Sequence, residues 1–206
     1  MPSKSKRVFF GDFVFVVDEN VYEPAEDSFL FAENLDVKEG ERVLDMGTGC
    51  GILGIIAAKK ASEVVAVDVN PYAVHCAKQN AELNHVRSKI TFVQGDLFTP
   101  LSEKAKFDVI LFNAPYLPAD ESEADSWIGR AWAGGATGRQ VIDCFIPEAQ
   151  KRLKRTGRIL LMQSTLANVD ETVHRFAEFH LNASVVGNHA LPFFETVTLL
   201  KARRSC

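Results

Sequence analysis

A planar NH2 group is a poor nucleophile because its lone pair is delocalised, so a site that alkylates one must hold its hydrogens aside. The tetrapeptide Asn113-Ala114-Pro115-Tyr116 has the residue types for that task. The side-chain oxygen of Asn113 and the backbone carbonyl of Ala114 can accept the two hydrogens. Proline at 115 steers Ala114 away from helical dihedrals, so that its carbonyl is presented and not consumed in a helix. Tyr116 offers a flat apolar face to a planar group. The competing reading is a plain β-turn, since Asn and Pro are ordinary turn formers. Position after an apolar strand, downstream of the segments described next, favours the chemical reading.

Those segments begin with Asp45-Met46-Gly47-Thr48-Gly49-Cys50-Gly51. Glycines let the backbone turn sharply and approach a ligand closely. The spacing is GxGxG, not the GxGxxG of dinucleotide sites, and no Lys-Ser or Lys-Thr follows, which excludes a nucleoside triphosphate loop. Asp68 lies 23 residues after Asp45 at the end of another apolar run, where a carboxylate can take both hydroxyls of a ribose. Its alternative role is to cap the helix beginning at Pro71, but Asn70 is better placed for that. Asp96 can meet an adenine amino group, or serve simply as a turn residue in Gly95-Asp96. Three acidic strand ends and a glycine turn describe a site for adenosine without a pyrophosphate. S-adenosylmethionine fits, with its amino-acid end on the glycine turn.

The elements that must position these residues alternate strand and helix. Strands are expected at Arg42–Met46, Val64–Val67, Ile90–Val93, Phe107–Phe112, Arg158–Met162, Ala183–Gly187 and Glu195–Lys201. Helices are expected from Pro24 in a first helical turn through Leu35, then at Ile52–Lys60, Pro71–Leu83, Gly138–Arg155 and Leu166–Phe179. The pattern is that of an α/β fold: a Rossmann-like, seven-stranded, mostly parallel sheet with helices on both faces and an antiparallel C-terminal edge hairpin. Ligands in such sheets bind beyond the carboxyl ends of the strands. Arg7–Phe10 and Phe13–Val17 read as a hairpin about a Gly11-Asp12 turn. One domain over 1–206, with that hairpin as an extension over about 1–20, accounts for the chain. Tyr116–Thr137 shows no element of its own and reads as a substrate-side lid, in which Trp127 and Trp132 either pack the loop down or shape the acceptor channel.

Composition excludes several classes. At 206 residues, 47% hydrophobic and 24% charged, the chain is globular, not disordered. No run of 18 apolar residues exists, so no membrane span is expected. Cys50, Cys76, Cys144 and Cys206 are too scattered for a metal or disulfide framework and suit a cytoplasmic protein. His75, His85, His174 and His180 are isolated, and no metal is expected. With 23 Lys and Arg against 27 Asp and Glu, the net charge is −4. The basic run Lys151, Arg152, Lys154, Arg155 and Arg158 reads as a helix C-terminus complementing its dipole.

The sequence resembles the class I S-adenosylmethionine-dependent methyltransferases. More narrowly it resembles the HemK-type release-factor glutamine N5-methyltransferases, in the short archaeal and eukaryotic form. The resemblance rests on VYEPAEDSFL at 21–30, LDMGTGCGILG at 44–54, AVDVNPYAV at 66–74, GDLF at 95–98, NAPYLP at 113–118 and FFETVTLL at 193–200. It implies that Ser28, Asp45, Gly47, Asp68, Asp96 and Leu97 match cofactor-contacting positions, with Gly49 in the same turn and Asn113 beside them. It further implies that Asn113–Tyr116 hold the acceptor amide. The implied substrate is the glutamine of the Gly-Gly-Gln motif of a translation termination factor, and the implied partner a small zinc-binding activator subunit that covers apolar surface. Phe9, Phe10, Phe13 and Phe15 are candidates for such a surface, or for core. One departure stands out: the family's usual residue at the second motif position is proline, and here it is Ala114, which adds an N–H and freedom. An adenine N6-methyltransferase acting on DNA or RNA shares this type of motif. The net charge, the acidic run Asp120, Glu121, Glu123 and Asp125, and the lack of a target-recognition domain disfavour it. A non-catalytic cofactor-binding partner subunit is the third reading, disfavoured by intact Asp68, Asn113 and Tyr116.

Overall fold

The computed structural model describes residues 6–192 and 195–205. Phe193, Phe194, Cys206 and the basic start of the chain before Lys6 lie outside the described residues. The first two strands, β1 (Lys6–Phe10) and β2 (Phe13–Val17), form a separate antiparallel hairpin. There follow α1 (Glu26–Glu33), β3 (Arg42–Met46), α2 (Ile52–Ala57), β4 (Glu63–Asp68), α3 (Pro71–Leu83), β5 (Ile90–Gln94) and β6 (Phe107–Asn113). Then come α4 (Trp127–Trp132), α5 (Gln140–Arg152), β7 (Leu153–Ser164), α6 (Val169–Glu178), β8 (Leu181–Ala190) and β9 (Thr196–Arg204).

Seven strands form one sheet in the order β5-β4-β3-β6-β7-β9-β8. β5, β4, β3, β6 and β7 run parallel, and β9 inserts antiparallel between β7 and β8, as the C-terminal pattern predicts. The central strands are apolar on both faces because both are covered. Val43, Val64, Val109 and Leu111 face the layer of α1, α2 and α3, while Leu44, Val67, Ile110 and Phe112 face that of α5 and α6. The chain winds outward in opposite directions from the neighbouring strands β3 and β6, and the crevice between them opens at the carboxyl ends.

The hairpin is pinned to α3 by two asparagines. Asn80 accepts from Val16 N–H at 2.8 Å and donates to Val16 C=O at 2.9 Å. Asn84 does the same for Val14, at 3.1 and 2.8 Å. Of the four hairpin phenylalanines, Phe15 is buried, Phe10 and Phe13 are half-buried against the core, and only Phe9 stands out at 65% exposure. Most of that apolar surface is therefore core. Asn70 caps α3 by accepting from Tyr72 N–H at 2.9 Å, with Pro71 as its first residue.

Several boundaries differ from the sequence expectation. α1 starts at Glu26 with Ala25 extended before it, so Pro24 precedes the cap and lies outside the first turn. α2 ends at Ala57, not Lys60. α5 ends at Arg152 because Leu153 enters β7 and pairs with Phe107, so the run to Arg155 is not helical despite its helix-favouring Lys and Arg. Thr165–Ala167 is a 3-10 turn, and α6 begins only at Val169. The region 116–137 is not structureless. Leu117 bridges Ala133, Leu117 N–H donates to Trp132 C=O at 2.9 Å, and Ala119 N–H donates to Gly135 C=O at 3.0 Å. Within this flap lie a 3-10 turn at Glu121–Asp125 and α4, so close that a Cβ on Gly129 would fall 1.8 Å from Glu123 C=O. The side chain of Glu121 lies outside the described residues. Among them, no helix is long and apolar enough to cross a membrane.

The basic run is not one helix end. Lys151 and Arg152 close α5, where Arg152 donates to Ser102 C=O at 2.7 Å. Lys154, Arg155 and Arg158 belong to β7. Cys50 and Cys76 are buried, while Cys144 is exposed. His85 and His180 follow α3 and α6 in left-handed backbone, at φ 59° and 55°.

Candidate active site

A cavity of about 520 Å3 opens at the carboxyl ends of β3, β4 and β6 and beyond β5. Its floor is the glycine turn after β3. Gly47, Gly49 and Gly51 all have positive φ, and a Cβ on Gly51 would lie 3.2 Å from Ala77 Cα, so at that position the turn fits against α3 only as glycine.

Asp45, the last-but-one residue of β3, does not line this cavity. Its buried carboxylate sits behind the turn, where Oδ2 accepts from Thr48 Oγ1 at 2.6 Å and from Gly54 N–H at 3.0 Å. Burial raises it to about 7, tempered by those two bonds. Asp45 thus shapes the turn that the cavity uses. Asp68 does line the cavity. Its Oδ2 accepts from Gly49 N–H and its Oδ1 from Asn70 N–H, both at 2.9 Å, which leaves each oxygen a further lone pair. Burial raises it too, with the N–H groups of Asn70 and Gly49 opposing. Gly95, Asp96 and Leu97 complete that side. Leu97 is held at φ 44°, and Thr99 N–H and Oγ1 donate to Asp96 C=O at 3.0 and 2.6 Å.

The tetrapeptide that begins at the last residue of β6 lines the opposite wall, with Ser28 of α1 beside it. Asn113 Nδ2 donates to Asp27 Oδ2 at 2.9 Å and to Ser28 Oγ at 3.3 Å. Its Oδ1 is buried and has no donor. Tyr116 OH donates to Asp27 Oδ2 at 3.2 Å, and Tyr22 OH to Asp27 Oδ1 at 3.3 Å. Burial, and then the Asp27 charge, push both phenols well above their ordinary range. Ala114 is buried, and its carbonyl takes part in none of the turn and loop hydrogen bonds. Its N–H donates to Met162 C=O at 3.4 Å, so the N–H that proline would lack extends the β6–β7 ladder by one long bond. Trp127, Arg130, Ala131 and Trp132 of α4 also line the cavity, so both flap tryptophans border it.

The structure therefore gathers Ser28, Gly47, Gly49, Asp68, Asp96, Leu97 and Asn113–Tyr116 around one cavity and leaves Asp45 behind it. Sequence reasoning missed Asp27 and Tyr22. Both stand in the segment at 21–30, where Asp27 is one of two acidic residues in the first turn of α1. Nothing local separates it from Glu26, and only the crossing of α1 over β6 does.

The chain belongs to the methyltransferase small domain family, which matches residues 17–129. It is 42% identical, over 87% of its length and 90% of the relative's, to a Methanocaldococcus jannaschii protein named "Putative protein N5-glutamine methyltransferase". It is 33% identical to the Homo sapiens methyltransferase HEMK2, over 74% of this chain and 75% of that one. Among solved structures, the E. cuniculi Mtq2-Trm112 complex, described as responsible for methylating the eRF1 translation termination factor, superposes with TM-score 0.70 at 26% identity. That match covers 90% of this chain and 99% of the other. The protein is a class I methyltransferase, and its methyl donor is S-adenosylmethionine. The residues present suit that donor: a carboxylate with free lone pairs in Asp68, a turn with glycine at 47 and 49, and apolar walls from Val21, Met46, Leu97 and Phe112.

Proposed function

We propose that this protein methylates the side-chain amide nitrogen of the glutamine in the Gly-Gly-Gln motif of a translation termination factor. The observation that carries the reading is the buried, donorless Oδ1 of Asn113, a residue that lines the cavity. A buried acceptor without a donor is destabilising by about 1–3 kcal/mol, and an entering NH2 would supply the missing donor.

On this reading Asp68 takes the ribose hydroxyls, Asp96 and Leu97 flank the adenine, and the turn at Gly47 and Gly49 receives the amino-acid end. The bound donor supplies an electrophilic sulfonium methyl. Asn113 Oδ1 accepts one amide hydrogen and the Ala114 carbonyl the other, which turns the nitrogen lone pair toward the methyl group. Tyr116 and the flap tryptophans cover the planar amide and keep water out. The nitrogen becomes acidic only as it is methylated, so no strong base is required. The likeness to the M. jannaschii and E. cuniculi proteins supports this substrate, and the latter's complex supports a small activator subunit. An adenine in nucleic acid fits less well. Arg152, Lys154 and Arg158 are engaged with Ser102, Asp108, Asp36 and Glu41, at the end of the sheet away from the cavity.

The test is mass spectrometry of a termination factor incubated with this protein, with and without co-expressed activator, and isotopically labelled methyl donor. A single added methyl on the Gly-Gly-Gln glutamine is expected. Labelling elsewhere only, or none, overturns the substrate.

A further inference from the structure

We infer that Asp27 is the positioning residue that decides which end of the Asn113 amide is offered to the acceptor, and through it the preference for an amide over a carboxylate. This rests on the amide-acceptor reading above and deepens it.

The two ends of an asparagine amide are nearly equal in size and opposite in hydrogen-bonding sense, so only their partners fix the orientation. An ionised carboxylate accepts and cannot donate. Asp27 Oδ2, 2.9 Å from the amide, therefore demands Nδ2, and Oδ1 is left over for the acceptor. Ser28 Oγ, at 3.3 Å, makes the same choice only through Asp27: its one hydrogen goes to Asp27 Oδ1, which leaves it an acceptor toward Asn113, whereas a hydroxyl without that carboxylate could donate or accept. The carboxylate cannot readily turn away. Its Oδ1 accepts from Ser28 N–H at 2.6 Å, from Ser28 Oγ at 3.1 Å and from Tyr22 OH at 3.3 Å, while Tyr116 OH shares Oδ2. All of these partners are neutral donors, and Asp27 is 5% exposed. With the amide so fixed, the site presents two acceptors, Asn113 Oδ1 and the Ala114 carbonyl. They pair with an NH2 and oppose the oxygens of a glutamate of the same shape. A site built to bond a hydrogen rejects the isostere that lacks it, because buried polar groups are then left unpaired.

The experiment uses the full chain with Asp27→Asn, Asn113→Asp and the two combined. On a termination factor, Asp27→Asn is expected to lower kcat about tenfold or more while KM for the methyl donor changes less than about twofold. Asn113→Asp, which sets two carboxylates face to face, should lose about a hundredfold or more. The combined variant lets the new amide at 27 donate to the new carboxylate at 113, whose other oxygen can again accept. It should recover about tenfold or more over Asn113→Asp. Recovery of that kind is not expected of residues that merely fill space. The Gln→Glu form of the factor should compete weakly against wild type and relatively better against Asp27→Asn. A combined variant no better than Asn113→Asp, or an Asp27→Asn kcat within about twofold of wild type, overturns the inference. A second measurement does not depend on substrate: the Asn113 side-chain amide signals in a 15N spectrum, assigned by their loss in Asn113→Ala. One amide proton shifted downfield and protected in wild type, and not in Asp27→Asn, supports the positioning role. Its absence in wild type overturns that role. If the signature is present while no termination factor is labelled, the substrate reading fails and the orientation of Asn113 by Asp27 stands.

Discussion

At the carboxyl ends of β3 and β4, Asp45 is buried and Asp68 half-buried among neutral donors, and desolvation raises both. At the opposite end of the same sheet, carboxylates sit against cations. Asp36 is held below its ordinary range by the hydrogen bond from Lys201, against partial burial. Burial alone would raise Glu41 and Asp108, but bonds from Arg158 and Lys38 N–H, and from Lys154 and Arg42 N–H, outweigh it. Arg158 is 3% exposed and also donates to Asp36 C=O, tying the α1–β3 connection to β7. One end of the sheet uses charge for stability. The other leaves carboxylates and the Asn113 oxygen without counter-charges, an arrangement that weakens the fold locally and leaves polar capacity for a ligand.

The sharpest way to break this contrast is Asn113→Ala. Methyl transfer should fall about a hundredfold to a thousandfold, with the melting temperature held and methyl-donor affinity by calorimetry changed less than about threefold. Loss of folding instead would mean that the tetrapeptide serves stability, like the far end. Arg158→Met probes that far end. Taking Arg158 from Glu41, and from an Asp36 that keeps Lys201, should destabilise by about 3 kcal/mol, the low end for breaking a buried pair because Asp36 is 33% exposed and still paired. Read as thermal unfolding, that is a fall of roughly 6–12 °C, with turnover per folded molecule unchanged. The depressed carboxylates contribute stability above the unfolded value near 4 and lose it as pH falls through their lower folded values, so the variant should also lose less on acidification than wild type.

Asp45→Asn sharpens the comparison from the site side. The unfolded chain gives up this proton near 3.8, whereas the folded protein keeps it to about 7, so stability falls as pH rises across that interval. Both bonds to Asp45 end on Oδ2, and an amide oxygen can take them. Between pH 5 and 8 the wild type crosses about two units of that interval, so the variant should gain roughly 5–10 °C more over wild type at pH 8 than at pH 5. An equal shift at both pH values would show that the carboxylate is ionised throughout. Ala114→Pro should change least. It removes only a 3.4 Å bond to Met162, and turnover should stay within about threefold. A larger loss would mean that this N–H holds the acceptor carbonyl in place.

The glycine turn, Asp68, Asp96 and Asn113–Tyr116 were legible in the sequence because each lies within a few residues of a strand end, where the topology dictates what a side chain can reach. The flap was not, because its order comes from backbone bonds between Leu117–Ala119 and Trp132–Gly135, with no helical or strand period to announce them. The early end of α5 was hidden for a related reason. Lys and Arg favour helix locally, and the pairing of Leu153 with Phe107 overrides them.

Local pattern determined the alternation of elements, the parallel sheet and the place of the site, since apolar period and turn chemistry are properties of neighbouring residues. Tertiary structure alone decided that Asp45 stands behind the turn, that Arg158 joins two acidic residues more than a hundred positions away, and that Asp27 reaches Asn113 across 86 residues. Hydrogen bonds of that kind depend on where two elements cross, and no spacing along the chain encodes the crossing.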